Sequence, residues 1–307
     1  MTTQPLTGQS IGDLPEMVTS WGIELHAANL SPATIRSYME AARRLEGFLR
    51  ERGMPTDVSA IHREHVEAFV VDQLERHKPT TAAVRFASLK VFFKWLAAEG
   101  EIRDSPMARM RKPKLPEHRA YIPTIEDLKR LLAVCAGSSF DDLRDTAIIR
   151  TFISTGARLS EVGNMTSEDV DLVGATMTVL GKGRRERVSF LDAKAVKAID
   201  RYRRRARKVH RHAELHWLWL GKRGQFGPSG ISQMVRERGD HLGLPQLTPH
   251  SFRHFYADRQ LGRGMQESDL MALAGWRSPE MLRRYASARR TDRALAAARR
   301  MSPGDDL

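Results

Sequence analysis

Apolar residues recur at helical spacing from early in the chain. Ile35, Tyr38, Met39, Ala42, Leu45, Phe48 and Leu49 form one stripe, opened by Ser31-Pro32 and closed by Gly53. A serine cap followed by proline at the first helical position starts a helix, and a glycine past the last periodic residue ends it. His62 to His77 repeats the rhythm through Val66, Phe69, Val70 and Leu74. Pro79 to Gly100 repeats it through Val84, Leu89, Phe92, Phe93 and Leu96. With a weaker pattern over residues 14–27, this predicts a helical bundle of about four elements.

From Arg103 to Pro123 the period is lost. Pro106, Pro113, Pro116 and Pro123 punctuate a basic run, Arg109-Met-Arg111-Lys112-Pro-Lys114, which predicts an extended linker. Those four cations read equally well as DNA-backbone contacts and as a solvated tether. Thr124-Ile-Glu-Asp127 then resembles a capping box, and helices are predicted to about Ser154 and around Leu159–Met165. Here the period changes to two. Ala175–Leu180 and Glu186–Leu191 are β-like runs joined by Gly181-Lys182-Gly-Arg-Arg185, a hairpin with Lys182 at its tip. A basic helix through Arg201–Arg211, a short strand at Trp217–Leu220 and further helices complete the reading. The fold class is mainly α with a small antiparallel β-sheet.

Composition narrows the partners. The 307 residues include 50 Lys and Arg against 37 Asp and Glu, a formal net charge of +13, and 39 of the 50 are arginine. A polyanionic partner follows from that balance, although a GC-rich genome also raises arginine. No apolar run approaches the roughly 20 residues that span a bilayer. The first residues, Met-Thr-Thr-Gln-Pro-Leu, lack the basic and apolar regions of a signal peptide. Cys135 is the single cysteine, so no internal disulfide forms, and a cytoplasmic, nucleoid-associated location is expected. Cys135 falls on the apolar side of a helix and reads as core.

Four regions carry candidate chemistry. Arg158 follows Thr155-Gly156 at a turn into a helix, with Glu161 on the same face three residues later. His250 and Arg253 open a helix after Thr248-Pro249, where the N-terminal dipole favours an anion. His254 lies one turn beyond His250, but without an intervening Glu or a cysteine partner the pair does not make a zinc site. Trp276 follows Leu273-Ala-Gly275, and Tyr285 comes nine residues later. Each alone has a structural reading: an Arg–Glu pair, a core tryptophan, a packed tyrosine. In order and together they point to phosphodiester chemistry. Arginine supplies fixed bidentate donors for phosphate oxygens, and a tyrosine phenol serves as a covalent nucleophile.

That ordered set resembles the tyrosine recombinase (phage integrase) family. The positions matching its catalytic set are Arg158, Lys182, His250 with Arg253, Trp276 and Tyr285, with Trp276 where most bacterial members have His. Thr-Gly-Ala-Arg-Leu-Ser-Glu-Val resembles the first arginine box, Pro-His-Ser-Phe-Arg-His-Phe-Tyr-Ala the second, and Gly-Lys-Gly-Arg-Arg-Glu-Arg-Val the hairpin lysine segment. The opening Leu-Ser-Pro-x-Thr-x-x-x-Tyr is similar to that of the family's SAM-like core-binding domain. The resemblance implies a flexible N-terminus over 1–13 and a helical core-binding domain over 14–103. A linker over 104–123, a catalytic domain with a C-terminal helix over 124–301 and a tail over 302–307 follow. It leaves no separate arm-binding domain, as in the simpler Xer-like members.

The resemblance further implies a reaction in which Tyr285 forms a 3′-phosphotyrosyl link. Arg158 and Arg253 would hold the phosphate, His250 would move the tyrosine proton, Trp276 would donate a hydrogen bond and Lys182 would protonate the leaving 5′-oxygen. Glu161 would support Arg158. Neither metal nor ATP is implied, and no cofactor. The implied partners are double-stranded DNA with a specific recombination site, a homotetramer on that DNA, and an accessory bending or directionality factor. The terminal helix Thr291–Met301, with Leu295 and its alanines, would dock into a neighbour or fray. Two rivals stand beside this reading: a type IB topoisomerase-like relaxase, which shares the Arg/Lys/His/Tyr chemistry, and an inactive DNA-binding member that keeps the fold. A basic RNA-binding or ribosome-associated protein would leave the ordered boxes without a reason.

Overall fold

The protein is described from a computed structural model, which covers residues 12–116, 120–180 and 186–276 and, beyond them, Leu282, Ala294, Leu295, Ala298 and Arg299. The chain divides into two compact units, residues 1–118 and 119–307.

The first unit is built from α1 (Leu14–Ala27), α2 (Pro32–Glu51), α3 (Arg63–Arg76) and α4 (Pro79–Ala98). Ser31 caps α2 by accepting from the Thr34 N–H at 3.2 Å, with Pro32 in the first turn. Trp21 is the centre of the core, stacked on Tyr38 at 5.5 Å and tilted against Phe92 at 4.9 Å. Aromatic contacts of this kind add to the stabilisation from area burial alone. On α4 Phe86 is buried with Leu89, Phe92, Phe93 and Leu96, whereas Val84 is exposed. Phe86, Leu89, Phe93 and Leu96 keep a spacing of three or four, and Val84 falls on the other side of that stripe. The linker expectation also changes here. Met107 and Met110 are buried in the core of this unit, so the proline-rich run is packed down over its first part. Arg109, Arg111, Lys112 and Lys114 are exposed around them.

The second unit opens with α5 (Ile125–Val134), α6 (Phe140–Thr155) and α7 (Leu159–Gly163). The Thr124 capping box is formed with Asp127 at both of its bonds. Helix α6 is buried around most of its circumference and is the axis of the unit, with Phe152 stacked on Phe252 at 5.5 Å. Cys135 is buried at the end of α5, and burial pushes its thiol up to about 11, as expected of an unreactive core cysteine.

Strands β1 (Val170–Asp171), β2 (Thr176–Leu180) and β3 (Glu186–Phe190) form an antiparallel sheet in that order. In the β2–β3 register Met177 faces Ser189 and Val179 faces Arg187. This alternation sends Met177, Val179, Arg187 and Ser189 inward, while Val188 and Phe190 are exposed. Helix α8 (Ala193–Arg205) follows, then the short pair β4 (Leu220–Gly221) and β5 (Gly224–Gln225), then α9 (Pro228–Asp240), α10 (Pro249–Gly262) and α11 (Glu267–Ala274).

Two predicted elements are shorter than expected. The basic helix ends at Arg205, because Arg207 turns its guanidinium onto the carbonyls of Ala213, Leu215 and Trp217. Arg203 likewise donates to the Ser167 carbonyl, so these two cations serve the fold. Of Trp217–Leu220 only Leu220 belongs to a strand, and Trp219 is a buried side chain donating to the Val162 carbonyl at 2.8 Å. Among the described residues, no helix is long and apolar enough to cross a membrane.

Candidate active site

The site is organised by two left-handed glycines. Helix α6 ends at Gly156, with φ of 59°, and α11 ends at Gly275, with φ of 64°. A side chain at Gly156 would put its Cβ 2.6 Å from the Tyr256 ring, so both the backbone angle and the space call for glycine. Beyond Gly275 the Trp276 N–H reaches back to the Met271 carbonyl at 2.9 Å and closes a wide C-terminal turn. These turns place Arg158 two residues after one glycine and Trp276 directly after the other.

Arg158 is the N-cap of α7. Its backbone N–H donates to Glu161 Oε2 at 2.7 Å and its Nη1 to Oε1 at 2.8 Å, so one carboxylate fixes both ends of the residue. Its Nη2 donates to the Gly275 carbonyl at 2.9 Å. Arg253, on α10, is 2% exposed and donates from Nη1 to Gly156 O at 2.7 Å and from Nη2 to Ala274 O at 2.6 Å. The guanidinium carbon of Arg253 lies 4.8 Å from the centroid of Trp276, a cation–π contact with the ring 5% exposed. His250 heads α10 and meets His254 edge to face at 4.8 Å. Arg158, Arg253 and Trp276 therefore gather around the C-terminal end of α11, with His250 close enough to feel the charges of both arginines.

Sequence reasoning did not single out Arg187 on β3. It donates from both terminal nitrogens to the two oxygens of Glu161 at 2.7 Å, and from Nε to the Leu273 carbonyl at 3.0 Å. Three successive carbonyls, Leu273, Ala274 and Gly275, thus accept from Arg187, Arg253 and Arg158 in turn. A helix C-terminus has unsatisfied acceptors and a negative dipole end, so guanidinium groups there both satisfy the backbone and gain electrostatically.

The electrostatics fit anion chemistry. Burial disfavours the charged form of Glu161. The Arg187 hydrogen bonds, then the Arg158 backbone bond, the Arg187 charge and the Arg158 side-chain bond, outweigh this and hold the carboxyl at about 2. His250 lies below the ordinary histidine value, first through desolvation by its surroundings and then through the Arg253 and Arg158 charges. It is a neutral imidazole at pH 7, able to accept a proton. Burial, then His250 and Arg253, brings His254 down to about 4. Among the described residues no group of three or more His, Cys, Asp or Glu is placed to hold a metal ion. Lys182 and Tyr285 lie outside the described residues, as does most of Thr291–Met301, of which Leu295 is helical and exposed.

Comparison with known proteins agrees with this geometry. Residues 124–291 match the phage integrase family, and residues 19–100 match the phage integrase N-terminal SAM-like domain. The chain belongs to the phage integrase family, the tyrosine recombinases, and is a site-specific recombinase that breaks and rejoins DNA. Tyrosine recombinase XerC of Myxococcus xanthus is 27% identical over 261 residues, covering 83% of this chain and 87% of that protein. XerC of Roseiflexus castenholzii is 30% identical over 255 residues, 80% of each chain. Among solved structures, the Tn1549 transposon integrase in complex with transposon right end DNA matches with a TM-score of 0.75 at 17% identity, covering 95% of this chain and all 100% of that one. A lambda integrase tetramer bound to a Holliday junction matches with a TM-score of 0.69 at 16% identity, covering 87% and 78% of the two chains. These structures share the fold. Neither the topoisomerase-like reading nor the inactive one finds support among the relatives.

Proposed function

We propose that this chain is an Xer-like recombinase whose Tyr285 attacks the scissile phosphorus, forming a 3′-phosphotyrosyl bond as the P–O5′ bond breaks. Lys182 supplies the proton to the departing 5′-oxygen, and His250 takes the proton of the Tyr285 phenol. Arg158 and Arg253 hold the non-bridging oxygens and stabilise the charge that grows on them, with Trp276 beside them. The rejoining step reverses these roles: a 5′-hydroxyl displaces Tyr285, and no outside energy source is needed.

The observation that carries this reading is the anchoring of two guanidinium groups on consecutive carbonyls of one helix end, Ala274 for Arg253 and Gly275 for Arg158. Donors fixed before the substrate arrives have little to reorganise in the transition state, and this makes such sites effective. The neutral His250 beside them supplies a base at working pH.

On DNA the proposed assembly is a homotetramer acting on two copies of a specific site through a Holliday junction, as the lambda integrase tetramer is bound to one. An accessory DNA-bending or directionality factor would set which exchange is completed. Arg109, Arg111, Lys112 and Lys114, all exposed, contact the phosphate backbone in this reading. Each contact should steepen the dependence of log affinity on log salt by about 0.9.

Trapping tests the proposal. The protein, without added metal, is mixed with nicked duplexes from its genomic neighbourhood and run on a denaturing gel. An adduct with one duplex, lost in Tyr285→Phe, is the expected result. Good binding with no adduct on any duplex, or relaxation of supercoiled DNA lacking a site, would remove the recombinase assignment.

A further inference from the structure

Arg187 is the one side chain of the arginine cluster that the reaction proposed above leaves without a task. It stands on the inward face of β3, with its side chain 13% exposed, and makes three contacts that join separate parts of the site. It meets Glu161 26 residues away in sequence, through two parallel bonds of 2.7 Å. It meets the Leu273 carbonyl 86 residues away, at 3.0 Å. It also packs where a Cβ on Gly275 would stand: its Nη1 lies 3.2 Å from that position.

We propose that Arg187 is a positioning residue for strand cleavage: by sharing the Glu161 carboxylate with Arg158 it keeps a net positive charge at the phosphate-facing side of the site and fixes the plane of Arg158. This inference rests on the cleavage reading above.

The argument is one of charge and of geometry. Glu161 is 3% exposed in its side chain and accepts four bonds, two from Arg158 and two from Arg187. A single carboxylate between two guanidinium groups leaves one net positive charge. Without Arg187, the carboxylate and Arg158 form a pair of zero net charge beside Arg253, and the field at the exposed edge of Arg158 weakens. Arg158 is that edge, with 35% of its side chain exposed against 13% for Arg187. Phosphate therefore meets Arg158, and Arg187 acts from behind it through Glu161.

The carbonyl contacts give the same ordering. Arg187, Arg253 and Arg158 take the Leu273, Ala274 and Gly275 carbonyls in sequence. A shift of the α11 end moves all three acceptors together, and Arg187 is the strut that ties this end to the sheet. Strand β3 also begins directly after the segment 181–185 that carries Lys182. Arg187, the second residue of β3, is thereby bonded to the same carboxylate that holds Arg158.

A double-mutant cycle separates positioning from bulk stability. Arg187→Met and Arg187→Lys are made in the native chain and in Arg158→Ala. Single-turnover cleavage and equilibrium binding are measured on the duplex identified by trapping, with thermal melting alongside. Arg187→Met should slow cleavage about 10- to 100-fold while DNA affinity changes less than about threefold, the pattern of a lost transition-state contribution. Arg187→Lys should recover part of the rate, because it keeps the charge without the bidentate fork. In the Arg158→Ala background Arg187→Met should cost less than about threefold, because residues acting through one another are not additive.

An equal penalty in both backgrounds, or native rates in Arg187→Met, would overturn the proposal. If Arg187→Met melts below the assay temperature, the cycle is read with Arg187→Lys, whose loss must again vanish in Arg158→Ala. Failure of the cleavage reading itself appears in the controls: a native chain without adduct, or an adduct surviving in Tyr285→Phe, removes that reading and this one together.

Discussion

The arginines of the two units do different things. In the N-terminal unit most sit outside: Arg44, Arg50, Arg63 and Arg76 have 57%, 66%, 57% and 61% of their side chains exposed and pair with acids one turn away, whereas Arg85, 11% exposed, reaches Glu40 and Gln73. In the C-terminal unit Arg253 is 2% exposed, and Arg144 and Arg187 keep 7% and 13% of their side chains exposed. Arg187 and Arg253 bond to a buried carboxylate or to helix-end carbonyls far away in sequence, and Arg144 to the buried carboxylate of its neighbour Asp145 and to the Leu220 carbonyl. Exposed pairs of the first kind are worth about 0.3–0.5 kcal/mol each. Breaking a buried pair of the second kind strands a charge and costs about 3–5 kcal/mol. A chain with 39 arginines thus uses one residue type both as a solvated coat and as a buried cluster tied to helix ends and carboxylates.

The largest expected break in this comparison is at the cluster. Arg158→Ala or Arg253→Ala should lower single-turnover cleavage on the order of 100-fold or more, as loss of a transition-state donor does. A near-native rate would reduce that arginine to a structural part. Next comes the backbone that positions them. Gly156→Ala forces a left-handed angle on alanine and a 2.6 Å approach to Tyr256, for a combined loss of roughly 2–5 kcal/mol in chemical denaturation. Cleavage should fall with it, since the Gly156 carbonyl holds Arg253. An unchanged unfolding midpoint would show that this turn has room to relax.

Acid should act on the same region. The folded protein keeps His254 at about 4, whereas the unfolded chain takes up that proton near 6.5. Stability is therefore full above about pH 6.5 and declines as pH falls toward 4. Glu161 adds a second loss as pH falls from 4.5 through its folded value of about 2. The cleavage rate, which needs neutral His250, should hold from pH 7 to below the ordinary histidine value. Melting temperatures that rise on acidification, or a rate already failing at pH 7, would contradict these assignments. The smallest change belongs to the coat: Arg50→Ala should cost about 0.3–0.5 kcal/mol and leave cleavage untouched.

The sequence made legible what is local. The Ser31 and Thr124 caps, the α2 stripe and the turn at Gly156 rest on neighbours three or four residues apart. The ordered boxes made Arg158, His250, Arg253 and Trp276 candidates before the fold was known. Three things were out of reach. Arg187 joins the site only through partners 26 and 86 residues away, and no periodicity encodes that meeting. Arg203 and Arg207 belong to a run that reads only as a basic helix, and its pattern does not show that the loop over 210–217 turns its carbonyls onto Arg207. Met107 and Met110 are two apolar residues among prolines and charges, too few to form a stripe, yet both are buried.

The most direct test of the whole account is the identity of the residue that carries the DNA. The trapped adduct is digested with protease and nuclease, and the nucleotide-bearing peptide is sequenced by mass spectrometry. The account predicts a phosphotyrosyl linkage at Tyr285 through a 3′-phosphate. A linkage at any other side chain, or through a 5′-phosphate, would contradict it.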